Sequence, residues 1–179
     1  DFTFLQSLRS FGQIEKMLNQ FEDFDSSISR DGLMPEGWEK LTQDDAIRMA
    51  LELFGEIRPV VHDLDVCLVV NETKEDFVTS DDPAVHTNRY SFQKLRGGSG
   101  GLSNSGTMLY LPLSPRRLFV AFEPNVYRIP RRHGHTVRLF KDDEAAELNQ
   151  FQFLHARRNI YFQDWERRDV VAESFAKVV

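Results

Sequence analysis

The stretch that most limits the fold is residues 64–70, Leu64-Asp65-Val66-Cys67-Leu68-Val69-Val70. It is apolar and β-branched but does not alternate strictly, which fits a strand buried on both faces. More strand-like segments follow it, at 108–113 and 117–122 around Ser114-Pro115-Arg116, and shorter ones at 126–129, 136–139 and 159–162. Before it the period is helical. Phe4, Leu8, Phe11, Ile14, Leu18 and Phe21 recur every three or four residues, which predicts one long helix over 4–28. Thr42-Gln43-Asp44-Asp45 has the form of a capping box opening a second helix over about 43–57, and Pro59 ends or kinks it. Asp142, Asp143 and Glu144 suit the start of a third, over about 142–157, and 165–178 reads as a short helix or tail. The expected class is α+β: a mixed or mainly antiparallel sheet from Leu64 onward, with these helices packed on it as a single domain over 1–179. The 15 phenylalanines suit a core of flat rings between sheet and helices.

Phe77-Val78-Thr79-Ser80-Asp81-Asp82-Pro83 reads as a short strand, a hairpin partner of 64–70, broken by a polar turn and a proline. Ala84-Val85-His86 extends past it as an edge segment. Leu111-Pro112-Leu113-Ser114-Pro115-Arg116-Arg117 repeats the strand-then-proline pattern about thirty residues later. Glu147-Leu148-Asn149 and Ala156-Arg157-Arg158 stand on and just beyond the third helix. This ordered set, with Ile14-Glu15 and Phe21-Glu22, resembles the bacterial domain-of-unknown-function family 4238 over about residues 14–162. Members of that family open on a His-x-x-Pro element. This chain starts inside its first helix, so native residues are expected to precede Asp1. The resemblance implies a bacterial protein and points to Asp81 as the matching acid, with Asp82 at a variable position. It carries no activity of its own.

An acid exposed at a strand end by a proline turn suits a general base or a metal ligand. Asp81, with Ser80 beside it, is therefore the catalytic candidate. Against this stands a turn-capping role, since Ser and Asp commonly bond backbone amides in such turns. Arg116, Arg117, Asn149, Arg157 and Arg158 are the candidates for binding a carboxylate or phosphate. The two proline elements are expected side by side, with Asp81 facing Arg116 or Arg117 and the glycine-rich loop 97–106 covering the crevice. That loop lacks the Lys-Ser/Thr ending of a phosphate-binding P-loop and reads as a flap or linker. His133 and His135, two apart in an extended segment, point the same way, and His86, Asp81 and Asp82 lie within conceivable reach. They match no recognised metal spacing, and no metal site is assigned. Nothing in the chain names a cofactor. A nucleophile elbow, a Cys–His pair and a zinc cysteine set are all missing from the sequence.

The charge is uneven. Residues 1–88 hold 7 Lys+Arg against 19 Asp+Glu, and residues 89–179 hold 15 against 9. The basic half either meets a phosphate-containing ligand or nucleic acid, or packs against the acidic half. Cys67 is the only cysteine, so no internal disulfide can form, and a reducing, cytoplasmic setting is expected. No apolar run reaches the roughly 18 residues of a membrane span. Two functions fit these features. The first is an anionic-ligand-binding protein, extending to a hydrolase acting on a phosphate-containing substrate. The second is a non-catalytic protein-interaction module, such as one half of a bacterial defence or toxin system.

Overall fold

The computed structural model describes residues 1–32, 35–90 and 104–178. It is α+β. The strand expected at 64–70 forms as β1 (Asp65–Asn71) and lies inside a five-stranded sheet. The other members are β3 (Val85–Thr87), β4 (Met108–Ser114), β5 (Arg117–Phe122) and β6 (Thr136–Leu139), in the order β3-β4-β5-β1-β6. All pairings are antiparallel except β1 with β6, so the sheet is mixed.

Alternation along the strands sorts the core into two layers. Cys67, Val69, Met108, Tyr110, Leu118, Val120 and Phe122 face one way, with Ala145, Leu148 and Phe151 of α4 (Asp142–His155) packed over them. The Tyr110 and Phe151 rings stack at 4.9 Å. Leu109, Phe119 and Ala121 face the other way, under Phe4 and Leu8 of α1 (Phe2–Arg9) and Phe54, Ile57 and Val61 of α3 (Gln43–Val61). The predicted capping box of α3 is present, with Thr42 and Asp45 bonding each other's backbone amides. Pro59 is accommodated inside its last turns.

Three expectations are corrected. The long N-terminal helix is two helices, α1 and α2 (Phe11–Arg30), because Ser10 leaves the helical region at φ −60°, ψ 149°. The apolar period runs through that break, so it is invisible to periodicity. The hairpin expected between 64–70 and 77–79 does not form, because β1 takes β5 and β6 as its neighbours. Asn71 folds the chain away instead, donating to Glu75 O at 2.6 Å and accepting from Thr73 N at 3.0 Å. Thr79–Ser80, as β2, then pairs with β7 (Ile160–Tyr161) in a separate two-stranded sheet. Finally, 126–129 is a loop rather than a strand. It is pinned by the Tyr127 hydroxyl, which accepts from Tyr90 N at 3.0 Å and donates to Gly106 O at 2.9 Å. Gly106 has φ +90°, and an added Cβ would fall 2.6 Å from Tyr90 Cβ, so the contact requires glycine. Of the glycine-rich loop, residues 97–103 lie outside the described residues.

The chain closes with a 3-10 turn at Trp165–Arg167 and α5 (Arg168–Ala176), whose Val171 and Phe175 pack on Val78 and Phe153. Among the described residues, no helix is long and apolar enough to cross a membrane.

Candidate functional site

Three segments far apart in sequence meet where the sheet ends at β3. One is the α1–α2 junction, one is the turn 81–84, and one is the C-terminal end of α4. Ser10 is the N-cap of α2 and accepts from Gln13 N at 3.3 Å. Its hydroxyl proton is free to go elsewhere, and it donates to Asp82 Oδ1 at 2.6 Å. Gln13 Nε2 donates to Asp82 Oδ2 at 3.0 Å. Both oxygens of this buried carboxylate are therefore served from the first turn of α2, where the helix dipole also favours negative charge. Gly12 lies between them. A Cβ there would stand 2.9 Å from Arg157 Cγ and 3.4 Å from Asp82 Oδ2, so the missing side chain is what lets the arginine stem cross the helix start.

The turn itself is held by a relay of side chains. Asp82 N donates to Ser80 Oγ at 3.3 Å, Ser80 Oγ donates to Gln152 Oε1 at 2.9 Å, and Gln152 Nε2 donates to Pro83 O at 2.9 Å. Asp81 points to the other side of the turn. Its carboxylate accepts from the backbone amides of Arg157 at 3.0 Å and Arg158 at 2.9 Å, the first residues beyond the α4 cap.

These segments enclose a cavity of about 530 Å³, within the usual range for small-molecule sites. Asp82, His86, His155, Arg157, Lys16 and Gln13 are on its wall. The Nε2 of His86, on the edge strand β3, is buried and has no hydrogen-bond partner among the described residues. Burial holds the His86 ring below its ordinary pKa, and the neighbouring His155 adds to the effect. His155 Nδ1 lies 2.9 Å from Phe151 O, and a carbonyl only accepts, so Nδ1 carries the proton. In the neutral ring this leaves Nε2 of His155 with its lone pair, the form a proton acceptor needs. Among the described residues, neither Lys16 nor Arg157 has an ion-pair partner.

Of the catalytic and ligand-binding candidates assigned from sequence, Arg157 alone reaches this wall. Ser80 is buried in the relay, and Asp81 caps the α4 exit. Asn149 is buried and docks the incoming chain on α4, accepting from Val78 N at 3.0 Å and donating to Asp76 O at 2.8 Å. The two proline elements touch at Phe77, whose N–H donates to Pro115 O at 2.9 Å. The charges, however, do not pair as expected. Arg116 forms its ion pair with Asp76, at 2.6 Å, and Arg158 pairs with Glu15 at 2.9 Å. Arg117 is exposed at the start of β5. His135 sits apart, exposed, with Nδ1 3.0 Å from Val66 O, and the backbone of His133 bridges to Thr136. Among the described residues no group of three or more His, Cys, Asp or Glu is placed to hold a metal ion. Asp82 and His86, considered from sequence only as distant partners of His133 and His135, stand on the cavity wall instead, and Lys16 and His155 were not assigned to a site. The one sequence signal here is that Asp82 and His86 lie on either side of Pro83, the residue that breaks the strand.

The fold and this cavity define an α+β protein with a polar pocket at the open edge of a mixed sheet. The family model described as "Protein of unknown function (DUF4238)" matches residues 4–166, and the chain belongs to that family. No curated protein and no solved structure matches it.

Proposed function

We propose that this protein binds an anionic, phosphate-bearing small molecule in the cavity beside β3. The observation that carries the reading is an imbalance on one wall. Among the described residues the Lys16 ammonium and the Arg157 guanidinium have no ion-pair partner and the Nε2 of His86 no hydrogen-bond partner, whereas each carboxylate oxygen of Asp82 already accepts a hydrogen bond, from Ser10 or Gln13. Unpaired cations around a satisfied acid attract an anion. A small ligand is favoured over nucleic acid, because much of the basic half is already spent on internal ion pairs. The extension to a hydrolase rests on His155, whose fixed Nδ1–H leaves Nε2 to take a proton from an attacking water. The setting we infer, a bacterial cytoplasm, is supported by the single buried thiol and the family resemblance.

Calorimetric titration with phenyl phosphate tests the binding reading. The Lys16→Ala/Arg157→Ala double variant should bind at least several-fold more weakly than the wild type. Equal affinity in the two removes the site. Turnover of p-nitrophenyl phosphate, with and without divalent metal, tests the hydrolase extension.

A second reading, a protein-interaction module, is favoured by a separate feature. Leu113, Tyr161 and Trp165 are exposed by 53%, 53% and 68%, and Phe162, which stacks on Trp165, lines a groove with the first two.

A further inference from the structure

The charges on the cavity wall narrow the kind of anion it takes. Asp82 contributes one negative charge, and Lys16 and Arg157 contribute two positive ones, so with both histidines neutral the wall carries a single net positive charge. The cavity that His86 lines is also lined by Ser7 from α1, Gln13 and Lys16 from α2, Asp82 from the turn, His155 from α4 and Arg157 just beyond it. The oxygens of Asp82 accept from Ser10 and Gln13, and among the described residues no hydrogen bond joins this carboxylate to the buried Nε2 of His86. An entering anion would supply what this ring lacks. It would give Nε2 an acceptor and bring a negative charge against the burial and the His155 repulsion that now disfavour protonation.

We infer that the cavity takes a doubly charged tetrahedral group, the terminal phosphate of a monoester, and that His86 takes up a proton as that group enters. The inference rests on the anion-binding reading above and adds ligand class and proton linkage to it. One proton on His86 raises the wall to two positive charges, which match a dianion. A phosphodiester or a carboxylate, with one charge, is already balanced and gives His86 no reason to ionise.

Sulfate is the probe for this, because it keeps its double charge across the range where histidine titrates, about pH 5 to 8. Methyl sulfate has the same tetrahedral head and one charge fewer. Sulfate affinity of the whole chain should rise as pH falls, approaching about tenfold per pH unit, the slope for one linked proton. Methyl sulfate should bind several-fold more weakly and with a flatter profile. His86→Gln should flatten the sulfate profile and leave residual binding through Lys16 and Arg157, while His155→Gln should keep the slope. If His86→Gln does not fold, the histidine ring resonances of the wild type, assigned with His155→Gln, show which ring gains the proton. Sulfate that does not bind the wild type, or binds the Lys16→Ala/Arg157→Ala variant equally well, sinks the anion site itself. Sulfate binding that depends on those cations but has no pH slope, a slope that survives in His86→Gln, a proton gained by another ring, or equal binding of methyl sulfate overturns this inference and leaves the anion site standing.

Discussion

Asp81 and Asp82 are neighbours in sequence and do different work, because the turn after β2 sends their side chains to different partners. Asp82 looks inward to Ser10 and Gln13, while Asp81 reaches outward to the amides of Arg157 and Arg158. Hydrogen bonds to a charged acceptor contribute roughly 1.5–3 kcal/mol each. Asp81→Ala should therefore lower stability by about 2 kcal/mol or more, read as a lower urea midpoint. Asp81→Asn, which retains one acceptor, should lose less. An unchanged midpoint in Asp81→Ala would mean the two amides are served equally well by water. Cys67 provides a second check at this scale. Burial among Val69, Val120 and their neighbours pushes its thiol pKa up, and only the thiolate is nucleophilic. Iodoacetamide at mildly alkaline pH should alkylate the native protein far more slowly than the urea-unfolded chain, as followed by mass spectrometry.

At the scale of elements, the N-terminal helix pair is organised by one serine. Ser10 caps α2 and donates to Asp82, and the two roles predict different mutant orders. Ser10→Ala loses the cap, for about 0.5–2 kcal/mol, and strips Asp82 of one donor. Aspartate is as good an N-cap as serine, so a capping role alone would make Ser10→Asp nearly neutral. Here it would set a second carboxylate against buried Asp82, and Ser10→Asp should be the less stable of the two in thermal melts. A Ser10→Asp protein as stable as wild type would reduce Ser10 to a simple cap. The β4–β5 hairpin shows the same local logic. Pro112 has no N–H to give, the register shifts between Pro112 and Ser114, and Leu113 at the shift is left exposed.

For the whole molecule, the acidic first half and the basic second half hold each other. Arg116 pairs with Asp76, Arg132 with Asp65, Arg138 with Glu72, Arg158 with Glu15 and Arg167 with Glu75. Such surface pairs are individually weak and screened by salt, so their effect is one of register between the halves. The pH dependence has a sharper origin. His86 binds its proton less readily in the fold than in the unfolded chain. As pH falls through histidine's ordinary pKa of about 6.5, the unfolded state takes up more protons and native stability decreases. The carboxylates held below their ordinary range, Asp65 beside Arg132 and Glu144 beside Arg131, lose their contribution only at more acidic pH. Denaturation midpoints should thus fall between about pH 7 and 5.5 in the wild type and stay level in His86→Gln. A parallel fall in both would assign the effect elsewhere.

Much of the fold was legible because it is written in local periodicity. The helical stripe from Phe4, the capping box at Thr42, the acidic start at Asp142 and the strands at 65–71, 108–114 and 117–122 each reflect burial within a few residues of chain. The family was legible too, from the order of short elements around Ser80-Asp81-Asp82-Pro83. What periodicity cannot carry is the choice among distant partners. Residues 64–70 and 77–79 look like a hairpin in sequence, yet the strands formed there, 65–71 and 79–80, take other neighbours, the first at 117–122 and 136–139 and the second at 160–161. The break at Ser10 was hidden because the apolar stripe passes through it uninterrupted, and the carboxylate that Ser10 meets lies 72 residues away. The cavity was hidden for the same reason. Lys16, Asp82, His86 and His155 share no spacing, and only the docking of α2 and α4 against the turn after β2 brings them to one wall. Sequence therefore determined which segments are helix and strand, since that is settled by local burial. Tertiary structure alone decided which acid and which histidine nitrogen are buried, since that depends on what closes against them.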